Sequence, residues 1–144
     1  MGEATIKKAE EIIAGRTVKD RKYNNEMCVL TLIDDKGYPY STVITPGKSD
    51  GIKTIWFGTN DESTKLGYIA KNNKASVCFP SEAYNITLIG ETEVLEATDE
   101  NKENVMWYDG LDHTNSNKII VFKTKRYSIF LIDGENVGVA TGEL

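Results

Sequence analysis

Short runs of β-forming residues follow one another along this chain, separated by turns rich in glycine, asparagine and aspartate and with little helix between them. That order favours antiparallel sheet, curled into a closed or half-closed barrel, over a doubly wound sheet, which needs a helix after nearly every strand. With 144 residues and 40% hydrophobic content, the chain can bury a substantial core yet is short for two ordinary domains. The expectation is therefore a mainly β fold with short helices, a split antiparallel barrel in one domain over residues 1–144. An N-terminal helix would occupy 1–15 and the barrel 27–132.

The elements are read as follows. Ile6, Ala9, Ile12 and Ile13 recur at helical spacing within Thr5 to Ala14, and Gly15 stops the helix. Arg16 to Glu26 is polar and without period, a connecting loop. Met27 to Ile33, a turn at Asp34-Asp35-Lys36-Gly37, and Tyr38 to Thr45 read as a hairpin; Ser49-Asp50-Gly51 signals a second turn and Ile52 to Gly58 a third strand, together a meander. Leu66, Ile69 and Ala70 mark a short helix ending at Asn72-Asn73. Strands follow at Ala75 to Phe79 and Tyr84 to Glu96, with Gly90 marking a bulge or bend. Asp99 can cap a helix reaching about Trp107. After a loop from Asp109 to Asn117, Lys118 to Thr124 and Tyr127 to Ile132 make two last strands, closed by Asp133-Gly134. About seven strands and three short helices result.

The formal net charge of -5, with basic residues scattered, makes nucleic acid and anionic membrane poor partners. The first residues carry Glu3, Lys7, Lys8, Glu10 and Glu11 instead of the apolar run of a secretory signal, and no stretch of roughly 18 apolar residues occurs. A cytoplasmic location is expected. Cys28 and Cys78 sit in apolar runs, where a thiol behaves as a small hydrophobe, and a single histidine leaves no multi-histidine metal site.

Chemistry is best placed where the third strand meets the following helix, at Trp56-Phe57-Gly58-Thr59-Asn60-Asp61-Glu62-Ser63-Thr64-Lys65. Gly58 would let a ligand approach the backbone, and helix amides, two hydroxyls and an ammonium suit a phosphate. Thr59 with Glu62 is equally a capping-box pattern, and Asp61 and Glu62 would repel a phosphate unless turned away.

The order Gly37-Tyr38-Pro39, then Phe57-Gly58-Thr59-Asn60, then Ser63-Thr64-Lys65, then Asn72-Asn73-Lys74-Ala75-Ser76-Val77-Cys78-Phe79 resembles the pyridoxamine-phosphate-oxidase-like FMN-binding split barrels. Their corresponding segment reads aromatic-x-Thr-Asn, Ser-x-Lys, Asn-Pro-x-Val-x-Phe. The resemblance covers about Met27 to Leu95 and, more loosely, the C-terminal strands. It implies that Phe57, Gly58, Thr59, Ser63, Thr64 and Lys65 surround the FMN phosphate. It also implies that Ser41, Thr42, Val43 and Ile44 lie along the flavin ring and that Asn85 reaches the flavin, often from a partner subunit; Trp107, at the expected helix end, is a candidate to cover the ring, against a more usual core or dimer-interface role for an aromatic there. Where relatives have arginine, lysine and arginine, this chain has Ser41, Pro46 and Thr64, so three positive partners are missing.

The implied activity is an FMN-dependent oxidoreductase acting on a small molecule, with NAD(P)H or another donor and a small acceptor, in a homodimer with the cofactor at the interface. A non-catalytic flavin carrier or sensor is the alternative, and a deazaflavin or haem in place of FMN a third possibility. Pyridoxamine phosphate oxidation itself is disfavoured, because no Arg-x-His motif follows Tyr127. His113 lies in a polar loop, yet it is the one side chain with an unperturbed pKa near neutrality.

Overall fold

The computed structural model describes residues 2–20, 27–106 and 116–144. The chain opens with helix α1 (Glu3–Gly15), which buries Ala9, Ile12 and Ile13 against the sheet, as their spacing requires. Strands β1 (Cys28–Ile33) and β2 (Pro39–Ile44) form the expected hairpin. Its turn is built by Asp34, whose Oδ1 accepts from the amides of Lys36 and Tyr38, and by Gly37 at φ +88°, a conformation that favours glycine.

The meander does not continue. Of the turn expected at Ser49-Asp50-Gly51, Ser49 and Asp50 instead belong to a short strand β3 (Lys48–Asp50) that pairs with β4 (Thr54–Thr59), and the reversal falls at Gly51 (φ +55°). Glu10 of α1 secures that reversal by accepting from the amide of Ile52 at 3.1 Å. Helix α2 (Thr64–Lys71) precedes β5 (Lys74–Pro80) and β6 (Tyr84–Glu96), whose bounds match the expectation closely. In place of a third helix capped by Asp99 there is one turn of 3-10 helix, Asn101–Asn104. It is set up by Thr98 and Asn101, each accepting the other's amide through its side chain.

The two last expected strands are one, β7 (Lys118–Asp133), and an unexpected β8 (Asn136–Glu143) follows the turn at Gly134. All pairings are antiparallel, in the order β2-β1-β5-β6-β7-β4-β3, with β8 also on β7. The described residues thus give eight strands and two α-helices, against about seven strands and three helices expected. β2 and β3, which a meander would have made neighbours, close opposite ends of the path. β7 spans the sheet: β6 takes one edge over its full length, while β4 takes the first half of the other edge and β8 the second.

Alternation sends one face of the strands inward. Leu30, Leu32, Phe57, Val77, Phe79, Ile86, Leu88, Ile120 and Phe122 are fully buried in one cluster with Ile13 of α1, and Ile69 of α2 is buried there too. Each such side chain contributes about 1.5 to 3 kcal/mol on burial. Because residues of β1, β4, β5, β6 and β7 share this cluster, the sheet is curled around it rather than flat. The curl is sharpened by the bulge at Ile89/Gly90, where Lys125 of β7 is skipped in the register. A side chain at Gly90 would overlap the Lys123 carbonyl, so the glycine is required by close packing of strand on strand.

Candidate cofactor site

The loop between β4 and α2 is held by side chains rather than by ladder bonds. Asn60 Oδ1 accepts from the amide of Glu62 at 3.0 Å, and Asn117 Oδ1 from that of Asp61 at 2.9 Å. These bonds bring the loop round so that Ser63, in extended conformation, caps α2: its Oγ accepts from the amide of Lys65 at 3.3 Å. Thr59 instead closes β4, its carbonyl accepting from Asn117. The capping-box reading of Thr59 with Glu62 therefore fails, because the helix starts four residues later than that pattern needs.

A hydroxyl that accepts from an amide keeps its own proton for donation. Ser63 as the cap, with exposed Thr64 and half-buried Lys65 in the first turn, thus places two hydroxyls and an ammonium-bearing side chain at the positive end of an eight-residue helix. Asp61 and Glu62 are exposed on the loop before it. This donor set fits a phosphate.

Helix α2 leans on β2 through Tyr68 and Tyr40, whose rings meet edge to face at 5.5 Å. That contact ties the helix carrying the candidate phosphate seat to the candidate ring strand. β2 ends the pairing path, so its outer edge keeps unpaired backbone donors and acceptors among the described residues. On it Ser41 is exposed and shares a 2.8 Å hydroxyl bond with Thr31, Thr42 and Ile44 are half-buried, and Val43 is 62% exposed.

Other expected residues stand differently. Phe57 is fully buried in the core, backbone included, so it offers no surface to a ligand. The space above Gly58 is filled by Ser116 and Val105, so close packing, rather than an approaching ligand, explains that glycine. Asn85 lies exposed on the outer face of β6, three strand spacings from β2, or about 14 Å along the sheet. It accepts there from the Cys78 thiol at 3.2 Å. Trp107 and His113 lie outside the described residues. Sequence reading placed Arg16 in a polar loop, yet the structure buries it at the end of α1; its helical position directly after Gly15 was the available signal.

Cys28 faces the core beside Arg16. Burial pushes its thiol far above the ordinary value of 9.0, with Arg16 pulling weakly the other way, so it stays protonated. Cys28 and Cys78, on adjacent strands, are free thiols.

Comparison with known proteins gives a consistent result. The model of the family described as pyridoxamine 5'-phosphate oxidase matches residues 15–128. A pyridoxine/pyridoxamine 5'-phosphate oxidase of Shewanella sp. (strain W3-18-1) is 33% identical over 75 residues, 51% of this chain and 34% of that protein. The chain thus spans about a third of the length of the curated relatives it matches. Among solved structures, a Clostridium acetobutylicum protein related to general stress protein 26 of B. subtilis superposes with a TM-score of 0.73 at 17% identity, covering 100% of this chain and 97% of that one. An FMN binding protein from Nostoc punctiforme gives 0.58 at 10% identity over 98% and 94%. A heme binding protein from Mycobacterium smegmatis gives 0.59 at 16% over 90% and 57%. These likenesses establish a shared fold.

Proposed function

Because this chain belongs to the pyridoxamine 5'-phosphate oxidase family, we propose that it binds FMN and serves as an FMN-dependent oxidoreductase for a small molecule. The observation that supports the reading is the α2 N-terminus, capped by Ser63 with Thr64 and Lys65 in its first turn, on a helix that touches the path-end strand β2 through Tyr68 and Tyr40. Lys65 supplies the positive charge, and the hydroxyls of Ser63 and Thr64 supply directed donors for the phosphate. The unpaired backbone groups along Ser41 to Ile44 bond the polar edge of the ring and fix its angle. When bound, FMN supplies the redox chemistry through its isoalloxazine ring.

Asn85 is three strands from that edge, so a second copy of the chain is what would bring it to the ring. The outer face around it suits such a partner: Phe130, Ile132, Val137 and Val139 are between 43% and 62% exposed, and Asn85 pairs in register with Phe130, which pairs with Val139. The proposed assembly is a homodimer with the cofactor at its interface.

One observation favours the non-catalytic flavin carrier as a second reading. Ser41, Thr42, Val43 and Ile44 include no group able to exchange a proton near neutral pH. Titration with FMN is the primary test: quenched flavin fluorescence and a raised melting temperature are expected, and no change in either sinks the cofactor assignment. The absorbance of the purified protein separates flavin from deazaflavin and haem. Steady-state oxidation of NADH or NADPH with added acceptors then separates the readings, since turnover supports the enzyme and stoichiometric reduction alone the carrier.

A further inference from the structure

Arg16 is 8% exposed. Its Nη1 donates to the Met27 carbonyl at 2.8 Å and Nη2 to that of Pro80 at 3.4 Å, and the guanidinium lies over the Tyr84 ring, 5.5 Å from the centroid. Among the described residues Nε is buried with no acceptor and no carboxylate pairs with Arg16. Carbonyls, an aromatic face and the C-terminal end of α1 provide partial negative charge only. A cation withdrawn this far from water is ordinarily balanced by a full opposite charge.

The same side chain walls a groove of about 190 Å³, otherwise lined by Met27, Cys28, Val29, Val43 and Pro80. Among the described residues, Arg16 is the one charged residue in that lining. Cys28 does not neutralise it, since its thiol is held protonated by burial. Among the described residues a phosphate or other dianion would find no second cation here, whereas an apolar wall with one buried guanidinium matches a monoanion with an apolar body.

We propose that this groove is a carboxylate subsite, in which a small organic acid pairs its carboxylate with Arg16 and lays its apolar body against Met27, Val29, Val43 and Pro80. The inference goes beyond the flavin reading and does not depend on it, although Val43 borders both regions.

The test uses the full chain, benzoate as probe and benzamide as its neutral counterpart, followed by the amide NMR signals of Cys28, Val29 and Val43, without and with added FMN. Benzoate is expected to shift these signals saturably, with benzamide weaker by about tenfold or more, one charge-assisted contact's worth. No saturable shift, or equal affinity for the two probes, overturns the proposal. Arg16→Met is expected to remove the preference for benzoate. Should that variant not fold, Met27→Trp decides: Met27 is 47% exposed, and the larger ring fills the groove with the guanidinium intact. Loss of benzoate binding at an unchanged melting temperature supports the subsite, and unchanged affinity overturns it. Benzoate binding in a protein that ignores FMN would defeat the flavin assignment alone, and the converse would defeat this one alone.

Discussion

Two side chains carry separable consequences. Lys65 is the cation of the candidate phosphate seat and makes no ion pair among the described residues. Lys65→Ala is expected to weaken FMN binding by about 1 to 3 kcal/mol, or about 5- to 150-fold in Kd, while the melting temperature without FMN stays put. An unchanged Kd by fluorescence titration would remove Lys65 from the site. Cys28 acts on stability instead. Its folded-state pKa is raised by burial, so above the unfolded value near 9.0 the unfolded chain loses a proton that the folded chain keeps. The stabilisation is complete below that pH and declines as pH rises, by at most about 1.4 kcal/mol per pH unit. Urea unfolding between pH 8 and 10.5 is expected to show a shallower alkaline decline for Cys28→Val than for the parent chain.

At the scale of elements, the β6–β7 bulge sets how tightly the sheet curls. Gly90→Ala places a methyl group against the Lys123 carbonyl, which belongs to the backbone and cannot rotate away. A loss of about 2 kcal/mol or more is expected in chemical unfolding, within the usual range for overpacked sites. An alanine variant as stable as the parent would show that the bulge relaxes. The Ser63 cap at α2 shows how local and tertiary effects combine: a helix start was legible in the run of hydroxyl residues, but the loop that leads to the capping hydroxyl is held by Asn117, 56 positions along the chain from the Asp61 amide that it accepts from.

On the scale of the whole molecule, the exposed apolar face of β7 and β8 is the surface that the proposed dimer would cover. Val139 is 62% exposed and packs into no core cluster, so Val139→Glu is expected to leave the fold intact. In sedimentation the variant should shift toward monomer and lose FMN affinity with it, because Asn85 of one copy would no longer reach the ring of the other. A variant that remains dimeric places the interface elsewhere.

Reading residues in order settled most of the local structure. The β1–β2 hairpin, α1, α2, β5, β6 and the Gly90 bulge are all dictated by periodicities of two or 3.6 and by turn chemistry, which act over a few residues. The candidate phosphate seat was legible for the same reason, since its parts lie within one loop and one helical turn. What the chain order could not decide was who neighbours whom. β3 crosses to the far end from β2, β7 runs unbroken through Lys125, β8 completes its second edge, and Ser116 fills the space above Gly58. Arg16, polar and next to a polar stretch, reads as solvated until α1, β1 and β5 close around it. Pairing and burial of this kind depend on free energy gained between segments distant in the chain, and that gain exists only once the sheet has curled around its core.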